Sequence, residues 1–157
     1  MAARYQILDE PNPGALASVA VNPMWPLLGA MLGGLWLAVP WFIVNAFAMG
    51  SPTRGREVAL ALTTLAGSFA VAFGLIVFAG TLDLSKEQIR YLVIVPTLWK
   101  IGMAYALYVV QRRTFALFEY YGGNVRSPLV VLIVATLVRP QLLASIKSFV
   151  VAYVALA

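Results

Sequence analysis

The chain contains no cysteine and no histidine, and it has only six acidic residues. Without cysteine there is no disulfide and no thiolate nucleophile, and without histidine the commonest general base and the usual zinc and haem ligand are missing. The carboxylates lie outside the long apolar runs and form no recognisable metal-binding motif: Asp9, Glu10, Glu57, Asp83, Glu87 and Glu119. We therefore expect no catalytic residue, no metal site and no cofactor, and we predict that the chain is not an enzyme.

Charge is also scarce, while apolar residues are abundant. Hydrophobic residues make up 62% of the chain and charged residues 11%, and the mean hydropathy is +0.88. A soluble protein of 157 residues could not bury four long apolar runs. The net charge of +5 comes mostly from arginines in short loops between these runs. Because no basic patch is interleaved with stacking aromatic residues, we expect no nucleic-acid partner.

The apolar runs predict an all-α, integral membrane four-helix bundle. Residues 1–24 form a polar extramembrane arm that prolines keep irregular, and residues 25–157 form the transmembrane domain. The predicted spans cover residues 26–49, 58–80, 91–111 and 128–157. Each contains a predominantly apolar stretch long enough to cross a bilayer as a helix.

The last run is longer than a straight helix needs to cross one bilayer. Arg139 and Pro140 lie near its middle, and a proline inside a helix removes a backbone donor. We favour one broken helix over 128–157. The alternative is that 129–138 lies along or re-enters the membrane while 140–157 crosses it.

Local signals mark where two helices begin and end. Ser85 followed by Gln88 is typical of a capping box, so the third helix should begin near Lys86. After the third span, charges and aromatic residues are mixed over 112–121 before Gly122-Gly123. This pattern predicts a short amphipathic interfacial helix before the last span, closed by a glycine cap.

Three cations lie inside the apolar segments, and no acidic residue shares those segments with them. They are Lys100, Arg139 and Lys147. A charge at that depth costs roughly 2.5–3.5 kcal/mol on insertion scales, so it normally has a partner or a water-filled cavity. We expect the partner to come from a loop, a lipid, an ion or another chain.

One face of the third span carries nearly all of its polarity. Its members recur at three- or four-residue spacing: Thr97, Lys100, Ala104, Tyr108 and Gln111. Lys100 lies about 15 Å from either end of the span, too deep to snorkel unaided. Three interpretations stay open: it pairs with a carboxylate or carbonyl groups of a partner chain, it lines an aqueous or anion-attracting cavity, or it is satisfied in a local helix-bundle network.

The remaining polar residues suggest simpler contacts. Asn45 in the first span should hydrogen-bond another helix. Long basic side chains near an interface commonly reach lipid headgroups. The candidates for such contacts are Arg54, Arg56, Arg112, Arg113 and Arg139. Lys147 is harder to explain in this way, and we include it among the intramembrane contacts.

Small residues mark where helices can approach closely. Gly29 and Gly33 form a GxxxG pair in the first span, and Ala66, Ala70 and Gly74 form a ladder in the second. These faces could pack inside the protein or against another copy or subunit.

The loop charges predict an orientation in the membrane. Loops after the first and third spans are rich in arginine, whereas the N-terminal arm and the loop after the second span carry a slight excess of acid. The positive-inside rule then predicts that both termini lie outside the cytoplasm. The opposite orientation stays open because the two sets of loops differ in net charge by only a few charges.

Two regions carry a family resemblance. One is the exit from the first span, Asn45 to Gly50 followed by Arg54 and Arg56, and the other is the run 105–121 leading to Gly122-Gly123 and a last apolar segment. In layout the chain resembles small four-span bacterial inner-membrane proteins of unassigned function. The resemblance implies a bacterial inner-membrane location and no catalytic residue.

Together these patterns predict a non-catalytic accessory or structural subunit. It would pack against a larger membrane complex or against copies of itself, using its small-residue faces and intramembrane cations. The alternative is a small oligomeric channel or transporter in which Lys100 lines an anion-favouring path. Membrane lipids and other membrane subunits are the expected partners.

Overall fold

The computed structural model describes residues 11–82, 85–92 and 94–147, together with Val151 and Val154. Residues 1–10 of the predicted arm, Val93 of the third predicted span and most of the region after 147 lie outside the described residues. Within the described part all regular elements are helical, apart from an isolated parallel bridge between Val21 and Arg126. The all-α class is therefore confirmed for this part of the chain.

The described elements are a short 3-10 helix followed by six α-helices. In chain order they are the 3-10 helix Ala15–Val19, α1 Met24–Leu32, α2 Leu35–Ala48, α3 Arg54–Thr81, α4 Lys86–Leu92, α5 Ile94–Tyr120 and α6 Leu129–Ser145.

The first apolar run is a helical hairpin, which differs from the single helix predicted over 26–49. α1 ends and α2 begins on either side of Gly33-Gly34, and α1 packs against α2. A Cβ atom added at Gly29 would lie 3.3 Å from the Trp41 ring, which brings the two helices side by side. Gly34 has a φ of 99° and a ψ of 178°, a backbone conformation that is essentially restricted to glycine.

α3 is the one described helix that is both long and apolar enough to cross a membrane. It has 28 residues, so it is about 42 Å long. Only 22% of its most apolar window is buried inside the molecule, whereas the core helix of a soluble protein would be mostly enclosed. The described structure therefore supports one candidate span; α2 and α6 are shorter apolar helices.

α5 runs antiparallel to α3 and contains the predicted interfacial helix as its own last turns. The Trp99 ring packs against Gly67, and its indole N–H donates to the Thr64 carbonyl oxygen at 3.4 Å. After Tyr120, the N–H groups of Gly122 and Gly123 donate back to the carbonyls of Glu119 and Phe118, and Gly122 has a φ of 80°. This Schellman motif confirms the predicted glycine cap.

The predicted capping box also forms at the start of α4. The Ser85 N–H donates to Gln88 Oε1 at 2.9 Å, and the Gln88 N–H donates to Ser85 Oγ at 3.3 Å. Both bonds satisfy backbone donors that a helix N-terminus otherwise leaves unpaired.

The sequence predicts a helix broken at Arg139-Pro140, but α6 continues through Pro140 to Ser145. Ile146 is extended instead. The Ser145 hydroxyl donates to the Leu142 carbonyl oxygen at 2.8 Å, which is the acceptor that the N–H of Ile146 would use in a continuing helix.

Backbone hydrogen bonds bring the N-terminal segment to the end of the bundle that also holds the loops between α2 and α3 and between α5 and α6. The Asn12 N–H donates to the Gly50 carbonyl oxygen at 3.0 Å, and the Arg126 N–H donates to that of Ala20 at 3.2 Å. We call this end, which carries Arg54, Arg56, Arg112, Arg113 and Arg126, the arginine end.

The arrangement corrects the predicted separation of the N-terminal arm from the arginine-rich loops. Because α1 and α2 fold back on each other, the chain enters and leaves the hairpin at the same end. α2 has 14 residues, so the hairpin tip lies about 20 Å from that end. The hairpin thus extends about halfway along α3.

Candidate functional site

Six polar side chains meet at the arginine end, where α2, α3 and α5 converge. α2 contributes Asn45, the following loop contributes Ser51 and Thr53, the first turn of α3 contributes Glu57, and α5 contributes Gln111 and Thr114. We call these six residues the polar cluster.

Gln111 is the centre of the polar cluster and is fully buried. Its Nε2 donates to the Phe42 carbonyl oxygen at 2.7 Å and to Glu57 Oε2 at 2.9 Å. Its Oε1 accepts from Asn45 Nδ2 at 3.2 Å. One side chain of α5 is therefore hydrogen-bonded to both α2 and α3.

Asn45 extends the polar cluster to the N-terminal segment. Its Oδ1 accepts the Val21 N–H at 2.9 Å, next to the bridge that joins Val21 to Arg126. The contact holds the chain that enters α1 close to the chain that leaves α2. The predicted helix-to-helix contact of Asn45 is present, with Gln111 as the partner.

Glu57 is 1% exposed, although it belongs to the first turn of α3 at the boundary of the apolar run. It accepts hydrogen bonds from the hydroxyls of Ser51 and Thr53 and from the Gln111 amide. Burying a carboxylate is costly unless donors surround it. These donors and the positive end of the α3 dipole provide that stabilisation.

The chemistry of the polar cluster is that of a joint between helices. Within the described residues, no buried side-chain nitrogen or oxygen is left without a hydrogen-bond partner. In the same part of the chain, no group of three histidine, cysteine or acidic residues could hold a metal ion. Because its donors and acceptors are engaged with one another, the polar cluster fixes the register of three helices.

A second polar region lies at the hairpin tip. Arg139 Nη1 donates to the Leu32 carbonyl oxygen at 2.8 Å, at the last residue of α1. A cation at a helix C-terminus is favoured by the helix dipole and satisfies an unpaired carbonyl. Lys100 is 4% exposed and lies close enough to Arg139 for the two positive charges to repel.

The predicted polar face of the third span is largely the buried face of α5. Lys100, Ala104 and Gln111 are buried, and Thr97 and Tyr108 are partly buried. Lys100 is thus enclosed by helices of its own chain. Among its three interpretations, burial favours a network inside the bundle over contact with a partner's carboxylate.

The other predicted contact residues are on the surface or at the tip. Arg54, Arg56, Arg112 and Arg113 are exposed at the arginine end, and the Arg54 guanidinium lies 5.8 Å from the centre of the Phe47 ring. Lys147 is exposed beyond the end of α6. Arg139 is bonded to the hairpin tip rather than located at the arginine end.

The two small-residue sets have different environments. Gly29 and Gly33 are buried inside the hairpin, against Trp41 and Leu37. Ala66, Ala70 and Gly74 are instead exposed on α3. The residues that α3 buries against the bundle are Glu57, Ala61, Thr64, Ser68 and Ala72.

Four members of the polar cluster were not predicted from the sequence: Glu57, Ser51, Thr53 and Thr114. One usable signal was present, because a glutamine at the end of a polar helix face needs both a donor and an acceptor on neighbouring helices. Glu57 was the acidic residue immediately before an uncharged apolar helix. The loop residues Ser51 and Thr53 belong to no sequence pattern that would predict their contacts.

Comparison with protein-family models, with curated proteins and with solved structures gave no match. The resemblance to small four-span inner-membrane proteins therefore stays a prediction.

Proposed function

We propose that this chain is a non-catalytic membrane subunit that packs against other membrane helices, of a larger complex or of its own copies, through the outer face of α3. The bundle would cross the bilayer with α3, α5 and α6, while α1 and α2 enter and leave as a re-entrant hairpin. Irregular backbone is tolerated at membrane depth where protein encloses it, and Gly33 and Gly34 are both buried.

The exposed apolar surface supports the membrane setting. Large hydrophobic side chains are exposed along α3, α5 and α6, among them Phe73, Leu98, Val130 and Leu137. In water such a surface would be unusually large for a monomer. In a bilayer it faces lipid. A bacterial inner membrane, implied by the resemblance above, remains the proposed location.

The orientation follows from the charges of the two ends. The arginine end carries Arg54, Arg56, Arg112, Arg113 and Arg126, whereas the connection from α3 to α5 carries Lys86 and Arg90 as its basic residues. The positive-inside rule assigns the arginine end to the cytoplasm. Because the described N-terminal segment belongs to that end, this proposal replaces the prediction that both termini are periplasmic.

One observation carries the assembly proposal: a small-residue stripe of α3 is left uncovered by the part of the chain that the structure describes. Ala66, Ala70 and Gly74 are spaced by four residues and are exposed, and a Cβ atom at Gly74 would meet nothing within 4 Å. Helices in lipid associate through such surfaces because small residues let backbones approach closely. The outer face of α3 therefore offers a contact surface that the described residues leave uncovered.

The test is a matched pair of glycine substitutions. Gly74 and Gly80 are both on α3, and neither would place a Cβ atom within 4 Å of a neighbour. They are six residues apart, so their faces differ by about 120°. We expect Gly74→Leu to block close helix approach and Gly80→Leu to leave it intact.

The measurement is native mass spectrometry of each variant, extracted in mild detergent from membranes without overexpression. The unsubstituted chain and Gly80→Leu should be recovered in a larger assembly, and Gly74→Leu should shift to the 17.0 kDa chain alone. Equal recovery of both variants in the assembly would rule out this face as the contact.

The alternative, an oligomeric channel or transporter with Lys100 on an anion path, has less support. Lys100 is 4% exposed, and a residue that lines an open path should present its ammonium to water. The hairpin tip beside Lys100 and Arg139 has the broken-helix character seen in transporter sites. Because the tip is enclosed within the bundle, a structural role for it is favoured over a transport site.

A further inference from the structure

A cavity of about 490 Å³ lies at the arginine end, and its lining includes Thr53, Arg56, Val109, Val110, Arg113 and Thr114. Its volume is within the range of small-molecule sites. Arg56 comes from the first turn of α3 and Arg113 from the last third of α5. Two helices that pack together therefore bring two guanidinium groups to one concave surface.

The described lining of the cavity carries positive charges without a negative charge to balance them. Among the described residues that line it, none is acidic. The nearest carboxylate along the chain, Glu57, is buried and engaged with Ser51, Thr53 and Gln111. The hydroxyls of Thr53 and Thr114 also hydrogen-bond within the polar cluster. The guanidinium donors of Arg56 and Arg113 are thus the groups left to meet an anion.

The apolar part of the lining shows which kind of anion fits. Val109 and Val110 lie one turn before Arg113 along α5, toward the apolar middle of the bundle, and both are exposed. A ligand would meet positive charge at one level and an open hydrocarbon surface about 5 Å deeper. An anionic headgroup attached to acyl chains matches both levels, whereas a free phosphate matches only the first.

We infer that this cavity binds an anionic phospholipid, whose phosphate lies between Arg56 and Arg113 while an acyl chain lies along Val109 and Val110. Arginine suits the role because its planar guanidinium offers several donors to phosphate oxygens. With no acidic group among the described residues of the lining, the ammonium of a zwitterionic headgroup finds no partner there. The inference rests on the membrane setting proposed above, but not on assembly through α3.

The chain provides a control of equal charge at the same end. The sequence also makes Arg54 and Arg112 candidates for headgroup contact. They are exposed and close to Arg56 and Arg113 in the sequence, but they do not line the cavity. Arg56→Gln with Arg113→Gln and Arg54→Gln with Arg112→Gln therefore remove the same number of charges. Only the first pair removes the proposed phosphate ligands.

The experiment titrates detergent-solubilised full chain with dioleoyl phosphatidylglycerol and counts bound lipid by native mass spectrometry. We expect the first pair to weaken lipid binding by about tenfold or more, because the loss of a hydrogen bond between a guanidinium and a charged phosphate lowers affinity by roughly tenfold. The control pair should change it by less than about threefold. Dioleoyl phosphatidylethanolamine should bind the unsubstituted chain more weakly.

Three results would overturn the inference. Equal weakening by both pairs would mean general attraction of the arginine end, and no weakening by either pair would mean that no phosphate is held there. Displacement of the lipid by millimolar inorganic phosphate would identify a free anion as the ligand. Assembly is read separately in the Gly74→Leu experiment, so failure of one proposal does not decide the other.

Discussion

Single residues at the arginine end have connected roles. Glu57 is an acceptor for three neutral side chains, and Gln111 links that carboxylate to Asn45. Every member of the polar cluster hydrogen-bonds another member, so truncating one side chain leaves several buried polar groups without partners. Such networks are sensitive to truncation because unsatisfied polar groups pay the full cost of desolvation.

We expect Glu57→Ala to destabilise the folded chain. The Gln111 amide and the hydroxyls of Ser51 and Thr53 would lose a shared acceptor, at a cost of about 1–3 kcal/mol. For a chain of this size, that corresponds to a fall of roughly 2–12 °C in the midpoint of thermal unfolding. The check is thermal unfolding in detergent. Glu119→Ala, at an exposed glutamate of α5, should leave the midpoint unchanged, and a similar fall in both variants would contradict the role of Glu57.

Asn45 and Gln111 could be predicted as buried contacts because each is a polar residue within an apolar run. Their pairing could not be predicted, since the sequence does not specify how α2 and α5 are rotated about their axes. Glu57 shows the same limit. Its position immediately before a predicted apolar span does not indicate whether its side chain is buried, because that burial depends on the loop folding over it.

At the scale of helices, short sequence motifs correctly predicted where helices begin and end, whereas the hydropathy of the first apolar run did not predict its fold. The Ser85–Gln88 capping box and the Gly122 cap formed as expected because their hydrogen bonds close within a few residues. A long apolar run, by contrast, has the same hydropathy whether it crosses once or folds back. The Gly33-Gly34 doublet carried the distinguishing signal, since paired glycines often mark turns.

Gly34→Ala tests the hairpin directly. At a φ of 99° and a ψ of 178°, an alanine is strained by about 1–3 kcal/mol, so the variant should unfold more readily. In a continuous helix the same change would stabilise by roughly 1 kcal/mol, because alanine favours helix more than glycine does. The sign of the shift in an unfolding titration therefore distinguishes the two structures.

Gly102→Ala is the matched control for that measurement. Gly102 lies inside α5, and a Cβ atom there would meet nothing within 4 Å. We expect this variant to be neutral or slightly more stable. A loss of stability at Gly102 as large as that at Gly34 would remove the evidence for backbone strain at the tip.

At the scale of the whole molecule, the hairpin changes which segments share a side of the membrane. Four complete spans would put the N-terminal arm on the side of the α3–α5 connection. A hairpin followed by α3, α5 and α6 keeps that arm with the arginine end. The described contacts agree with the second arrangement, because Ser18 and Asn124 line a common groove.

The absence of cysteine makes this arrangement testable with single substitutions. We expect Ser18→Cys and Asn124→Cys to react with a membrane-impermeant maleimide from the same side, because the Ala20–Arg126 hydrogen bond holds their segments together. Glu87→Cys, in α4 beyond the other end of α3, should react only from the opposite side. All three positions are exposed, so access to the reagent, not burial, decides the result.

With the arginine end in the cytoplasm, the first two variants should be labelled in inside-out vesicles and Glu87→Cys in intact cells. Labelling of Ser18→Cys together with Glu87→Cys would instead mean that the first apolar run crosses the membrane as one helix.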